Sequence, residues 1–402
     1  MKLFRMAMAV AGLALAAGLA HAGEKKYDPG ASDTEIRLGN TIPYSGPLSA
    51  HGIQGRVEVA YFRMLNEEQG GVNGRKVTLI SLDDAFSPPK TVEQTRKLVE
   101  QEEVLATFAS VGTAAQSAVQ RYLNQKKIPQ LMVSTGAAKF DQPKVYPWTT
   151  PSSITYRDEG KIYGKYLAKE KPDAKIAVLY LNDDFGRDYV QGFKEGLGDR
   201  AGDMIIKEIT YELTDPTIDS QVLAARASGA DTLFNVTLGK ATSQSLKKMA
   251  EIGWKPLHFI VSPSAGRIYL EAAGLDNVQG LMTAQALKQV SSPRWADDPD
   301  VKAYKAFMAK YLPNEDITNE IGFTTYMLSH VMAHVLREAG DNLTRENILR
   351  IATNLKDVKV PGLLPGVKYE NNPQNYTPIR ELQLVRFEGD DYAPVGEVIS
   401  AR

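Results

Sequence analysis

Two short runs carry residue types suited to holding an anion. Ser110-Val111-Gly112-Thr113 follows a buried-looking apolar strand and opens directly into a helical pattern. A helix start leaves backbone N–H groups unpaired at the positive end of the peptide dipole, and Thr113 adds a hydroxyl. Ser134-Thr135-Gly136-Ala137 follows the next strand and offers two hydroxyls beside a glycine that allows close backbone approach. Helix capping accounts for either run alone. Two such runs on neighbouring strand ends point to a cradle for a carboxylate.

Catalytic chemistry has less support. Beyond residue 22 the histidines are His51, His258, His330 and His334. The last two are one helical turn apart, but the run His-Val-Met-Ala-His lacks the glutamate of a zinc protease helix, which favours a structural pair. Asp83-Asp84 and Asn182-Asp183-Asp184 are acidic strand ends that suit loop capping as well as a divalent metal. The chain has no phosphate-binding P-loop, no G-x-S-x-G elbow and no G-x-G-x-x-G after the first strand. With no cysteine among 402 residues, disulfides, thiolate metal sites and cysteine nucleophiles are excluded. The formal charge of −1, from 47 basic and 48 acidic residues, lacks the basic surplus of a nucleic-acid binder. No cofactor and no metal is expected.

These residues must be positioned by alternating strands and helices. Residues 36–41 read as a buried strand closed by Pro43 and Gly46. Val57, Ala60, Tyr61, Met64 and Leu65 then place one apolar face on a helix that Gly70-Gly71 stops. Strands at 77–82, 104–109 and 128–133 alternate with helices over 87–99 and 115–123, the first opened by Ser87 and Pro88. A second series begins after Trp148, with strands at 175–181, 204–211, 232–236 and 257–261. Such alternation predicts parallel sheets with helices on both faces, in two lobes. The tail reads as long helices at 320–339 and 345–354, then one strand at 381–387, which return to complete the earlier lobes. In open parallel sheets ligands bind beyond the carboxyl ends of strands, so two facing lobes place a cleft between those edges.

The first 22 residues read as a secretory leader. Lys2 and Arg5 precede a 15-residue apolar run, 6–20, and Ala20-His21-Ala22 supplies small residues at a cleavage site after Ala22. The run is shorter than the ~20 residues a spanning helix needs, so the expected chain is periplasmic, with no membrane anchor.

Taken together, the motifs IRLGNTIPYSG (36–46), NEEQGGVNG (66–74), LDDAFS (82–87) and AVLYLNDDFG (177–186), with the leader, resemble the solute-binding proteins of branched-chain amino-acid-type ABC importers. The resemblance runs across nearly the whole chain beyond the leader. It implies the type I periplasmic binding protein fold: two doubly wound parallel-sheet lobes joined by a three-segment hinge. Lobe 1 would be 35–150 plus 285–376, and lobe 2 would be 151–284 plus 377–402. The crossovers would fall near 148–151, 283–285 and 376–380. The resemblance also implies that Gly112, Thr113 and Ser134 to Ala137 hold a carboxylate. Tyr44, Ser45 and Tyr156 would line the cleft from the first side, and Phe185, Leu238 and Ser264 from the second.

Two departures stand out. Amino-acid-binding relatives place an acid after the strand at 259–261 to pair with the ligand's α-ammonium, whereas here the loop is Ser262-Pro263-Ser264-Ala265. Relatives often carry a disulfide where this chain has Phe86 and Val111. A buried ammonium without a counter-charge is costly, so the expected ligand is a small organic or aromatic acid lacking an α-amino group. A branched-chain or other amino acid is the alternative. The implied partner is an ABC transporter permease, and the implied protein is a monomer without catalytic activity. The competing expectations are a binding protein that serves a signalling receptor, and a periplasmic hydrolase using Asp83, Asp84 or the histidine pair.

Overall fold

The computed structural model describes residues 25–401. The expected leader, 1–22, and its cleavage site lie outside the described residues. In chain order, β1 (Lys26–Tyr27) and β2 (Glu35–Ile42) precede α1 (Ile53–Gln69), β3 (Lys76–Asp83), α2 (Pro88–Glu100), β4 (Ala106–Phe108), α3 (Thr113–Gln125), β5 (Gln130–Val133) and β6 (Thr149–Pro151). The second series holds α4 (Tyr156–Glu170), β7 (Ile176–Leu181), α5 (Asp184–Leu197), α6 (Ala201–Met204), β8 (Ile205–Tyr211), α7 (Asp219–Ala227) and β9 (Thr232–Val236). It continues with α8 (Lys240–Glu251), β10 (Leu257–Ile260), α9 (Arg267–Ala273) and β11 (Met282–Gln285). The tail comprises α10 (Pro299–Tyr311), α11 (Glu320–Ala339), β12 (Asn342–Leu343), α12 (Arg345–Ala352), β13 (Glu381–Glu388) and β14 (Asp391–Ser400).

Local chemistry sets the boundaries. Gly70 ends α1 at φ +70, where its N–H bonds the Leu65 carbonyl. Pro88 and Pro89 occupy the first turn of α2, where a missing N–H costs nothing. Ser87 stands at its N-cap, but its side chain makes no capping bond.

Five parallel strands form one sheet in the order β3-β2-β4-β5-β6. A second has seven, in the order β14-β13-β11-β10-β9-β7-β8, and β1 pairs with β12 in a separate two-stranded ladder. In the seven-stranded sheet β7 to β11 are parallel, while β13 and β14 add an antiparallel pair at one edge. Beyond residue 380 the sequence predicts one strand, and the structure has two. β14 contains Pro394 and Gly396 and is mostly half-exposed, so the alternation that marks a buried strand is missing. An edge strand tolerates both residues.

The chain passes between the sheets after β6, after β11 and before β13. The first passage leads into α4, which lies unusually close to α5. A Cβ on Gly192 would stand 1.9 Å from the Arg157 carbonyl oxygen, and one on Gly164 would stand 2.3 Å from that of Phe193. Paired glycines thus bring the two backbones together and fix Tyr156 and Glu159 against Phe185 and Tyr189. Gly192→Ala is expected to cost about 1–3 kcal/mol through forced separation of these helices, measured as a lower urea midpoint. An unchanged midpoint would show that the pair has room to spread.

Candidate ligand-binding cleft

A cavity of about 280 Å³ lies between the two sheets. Its first wall comes from segments after β2, β3, β4 and β5, bringing His51, Phe86, Thr113 and Ser134. The second comes from segments after β7, β9 and β10, bringing Asp183, Phe185, Leu238, Ser262, Pro263, Ala265 and Gly266. Both sheets therefore offer their strand carboxyl ends, as parallel topology dictates. Contacts across the cleft hold it together: the Ala138 N–H donates to Asp188 Oδ2 at 2.7 Å, and Lys139 Nζ lies 3.1 Å from Asp184 Oδ2.

Of the residues expected from sequence, Gly112, Thr113, Ser134, Thr135, Gly136, Tyr156, Phe185 and Leu238 line this cavity. Four do not. The Tyr44 hydroxyl is 2.6 Å from Ser81 Oγ, held behind the wall against Gly55. Ser45 is exposed and bonds Asp83 through both its hydroxyl, at 2.7 Å, and its N–H, at 3.1 Å. Ala137 turns into a small core with Val133 and Phe140. Ser264 is fully buried and donates to the Thr237 carbonyl at 2.6 Å, so its neighbours Ser262, Pro263, Ala265 and Gly266 face the cavity instead. Residue type could not reveal these positions, because a loop hydroxyl serves a backbone carbonyl as well as a ligand.

The first wall is built of donors. α3 starts at Gly112 with no side-chain cap, and the first N–H to return within the helix is that of Gln116. The Gly112 N–H bonds the Ser134 carbonyl at 3.3 Å, and those of residues 113–115 are left at the positive helix end. Thr113 and Thr135 share a hydroxyl–hydroxyl bond of 2.7 Å. Ser134 donates to Gln54 Oε1 at 2.9 Å, which turns the Gln54 amide nitrogen toward His51 Nδ1 at 3.0 Å. His51 Nδ1 is then an acceptor, so the imidazole proton sits on Nε2. That Nε2 is buried without a partner, in a residue that lines the cavity.

Burial also lowers the His51 pKa from 6.5 to about 4. Between those values the unfolded chain binds a proton that the folded protein does not. His51 therefore contributes stability at neutral pH that is lost as pH falls from about 6.5 toward 4. His51→Gln is expected to lose less stability than the parent between pH 7 and pH 5, compared by urea midpoints. Equal losses would place the His51 side chain in water.

Two glycines bring aromatic rings onto this wall. A Cβ on Gly112 would stand 2.2 Å from Phe86 Cε2, and one on Gly136 would stand 2.6 Å from Tyr156 Cδ1. Phe86 thus fills the expected disulfide region as a ring on the cavity wall, held at φ +56 next to Ala85 at φ +51. Two successive non-glycine residues in the left-handed region are strained. Tyr156 stacks on Tyr189 at 4.7 Å and meets Phe185 edge-on at 5.0 Å.

Acids enter from the other side. Glu159 is fully buried and lines the cavity. Its Oε1 accepts from the Tyr163 hydroxyl at 2.7 Å and the Ser262 N–H at 2.8 Å. Its Oε2 accepts from the hydroxyls of Tyr189 and Ser262, both at 2.8 Å. Four donors fill the roughly four acceptor positions of a carboxylate. Burial still raises its pKa, with those donors pulling the other way. Lys288, a cation in the lining, is bound to Asp298 at 2.7 Å and Asp300 at 3.3 Å.

Sequence reasoning missed His51, Gln54, Glu159 and Glu320 as lining residues. One signal was available: Glu159 lies three and four residues before the apolar Ile162 and Tyr163, on one helix face that is buried. His330, by contrast, sits between Tyr61 and Tyr326, tilted against the first at 4.8 Å and edge-on to the second at 4.6 Å, and does not line the cavity. Among the described residues no three His, Cys, Asp or Glu side chains gather as a metal site would require.

A sequence profile of the periplasmic binding protein family matches residues 35–391. The chain belongs to that family. It has the type I fold and is similar to Leu/Ile/Val-binding proteins. It is 23% identical to Leu/Ile/Val-binding protein homolog 7 of Brucella abortus over 86% of this chain and 87% of that protein. The match to the Brucella suis counterpart is shorter, spanning 58% of that protein. A branched chain amino acid ABC transporter protein of Thermus thermophilus with bound valine superposes with a TM-score of 0.79 at 19% identity, over 91% of this chain and 97% of that one. A solute binding protein of Rhodopseudomonas palustris in complex with 3,4-dihydroxy benzoic acid superposes at 0.77 with 20% identity, over 92% and 98%. Among the described residues, no helix is long and apolar enough to cross a membrane.

Proposed function

We propose that this protein captures a small carboxylic acid lacking an α-amino group, favouring an aromatic one, and delivers it to an ABC transporter permease from the periplasm after cleavage behind Ala22. Thr113, Ser134, Thr135, Gly112, Gly136 and His51 hold the carboxylate, while Phe86, Tyr156, Phe185 and Leu238 enclose the apolar body. The lobes, 35–150 plus 285–376 and 151–284 plus 377–402, close on the ligand about their three connections.

The observation that carries this reading is the state of Glu159. An α-ammonium lies next to its carboxylate and needs an acceptor beside the cradle. The acid bracing the 262–265 loop already has four donors. The first wall offers neutral donors and no acid. Solved structures of this fold hold valine in one case and 3,4-dihydroxy benzoic acid in another, so the fold admits either class and the side chains must decide.

Alanine at both Ser134 and Thr135 is expected to weaken acid binding by about 1–3 kcal/mol, read by titration calorimetry with benzoate. Unchanged affinity would move the carboxylate to other loops. A second reading, delivery of the same ligand to a signalling receptor, uses the same cleft. It is favoured if a pull-down with ligand-loaded protein retains a receptor ectodomain and no permease.

A further inference from the structure

One carboxylate at the ligand cavity spans the cleft. Glu320 is the first residue of α11, and α11 packs on α1 beside the five-stranded sheet, where Tyr326 meets Tyr61 edge-on at 5.6 Å. The Glu320 Oε2 accepts the N–H of Arg267, the first residue of α9, at 3.2 Å. α9 belongs to the seven-stranded sheet, because Leu270 shares a core with Ile260 of β10 and Val385 of β13. The bond therefore joins elements built on different sheets. A reciprocal bond joins them elsewhere, where Asp188 on α5 accepts the Ala138 N–H from the segment after β5 at 2.7 Å.

Neighbouring groups hold Glu320 in place for this contact. Its Oε1 accepts the Ser291 hydroxyl at 2.5 Å. The Ser292 hydroxyl donates to Asp391, the first residue of β14, at 2.5 Å, and Arg267 Nη1 donates to the Asp390 carbonyl at 2.8 Å. Glu320, Ser291, Ser292, Asp391, Asp390 and Arg267 thus close a ring. By the lobe limits proposed above, the first three belong to one lobe and the last three to the other. Two links cross between the lobes: Glu320 to the Arg267 N–H, and Ser292 to Asp391. Only the first of them also faces the ligand, since Glu320 lines the cavity.

We propose that Glu320 is a positioning residue for ligand capture, a latch that fastens the first lobe to the Arg267 N–H of the second and holds the closed form around its ligand. This rests on the closure of the two lobes and not on the identity of the ligand. A carboxylate accepting an N–H makes a charge-assisted bond, stronger than a neutral one. The bond forms only when the lobes meet, so it favours the closed form alone.

The test counts open and closed molecules by spin-label distances. The chain has no cysteine, so Val59→Cys on α1 and Leu223→Cys on α7, both exposed, carry the only labels. Distances are read by pulsed EPR without ligand and across a benzoate titration. Arg267→Pro deletes the latch N–H at a first helical position, where proline is tolerated. Gly266 already has the extended backbone that a following proline needs, at φ −64 and ψ 145. Arg267→Ala loses the side chain and keeps the N–H, so the pair isolates the latch. Arg267→Pro should lower the closed-to-open ratio about tenfold against Arg267→Ala, or raise the benzoate concentration for half closure by the same factor. Glu320→Ala should do the same from the other lobe, and adding it to Arg267→Pro should bring no further change. Ratios within about threefold of Arg267→Ala, or effects that add, would overturn the inference and leave lobe closure intact. One distance that neither benzoate nor any variant moves would overturn lobe closure, and the inference with it.

Discussion

Replacing Glu159 by alanine is expected to lower the stability of the unliganded protein at pH 7 by about 3–5 kcal/mol. The change strands the hydroxyls of Tyr189 and Ser262 and the Ser262 N–H, and leaves the Tyr163 hydroxyl only longer contacts of 3.4 Å to the Ile260 carbonyl and the Thr283 hydroxyl. Water cannot easily replace the carboxylate, because Tyr163 and Tyr189 are fully buried. The loss also frees the 262–266 segment from α4, so ligand affinity should fall with stability. Glu159→Gln should lie between parent and alanine, because the amide keeps two acceptor positions and turns two N–H donors toward existing donors. Burial raises the Glu159 pKa, so the folded state binds this proton more tightly than the unfolded chain. Its contribution then declines as pH rises above the ordinary glutamate value of 4.5. Urea unfolding of the three proteins checks this, and a loss below about 1 kcal/mol in the alanine variant would show that water reaches the cluster.

The second large effect is expected at Gly112. Alanine there meets two obstacles. The backbone is at φ +103, and the new Cβ would stand 2.2 Å from Phe86 Cε2. The strain alone is worth about 1–3 kcal/mol. Relief requires either the Phe86 ring or the start of α3 to move, and both line the site. Affinity for an aromatic acid should drop at least about 100-fold, equivalent to about 2.7 kcal/mol. Adding Phe86→Ala should recover part of the stability loss but not the lost ring contact, a coupling that a double-mutant cycle isolates. Affinity within about threefold of the parent in Gly112→Ala would place the ligand away from α3.

The alternation of strands and helices was legible because buried parallel strands are short apolar runs, and helices such as α11 carry long regular apolar faces. β14 was not, since an exposed edge strand has no face to declare. The cavity lining was legible in part: Gly112 and Thr113 stand at a helix start after a strand, Ser134 and Thr135 in a hydroxyl-rich run after the next one, and all four line the cavity. Tyr44 and Ser264 were not separable from ligand contacts, because Ser81 and the Thr237 carbonyl reach them only through the folded sheet. His51, Glu159 and Glu320 come from segments far apart in sequence, and only tertiary packing shows which polar atoms are spent. The loop 262–265 is acid-free as read, yet an acid braces it from α4, about a hundred residues earlier.

The most direct test of the account compares matched ligand pairs that differ only by the α-amino group. Calorimetric affinities would be measured for 4-methylpentanoate against leucine and for 3-phenylpropionate against phenylalanine. The account predicts that the amine-free acid of each pair binds at least about tenfold more tightly, because the ammonium is desolvated while Glu159, the acid bracing the 262–265 loop, already has four donors. Tighter binding of either amino acid would contradict it, and would mean that Glu159 exchanges one of its four donors for the ligand.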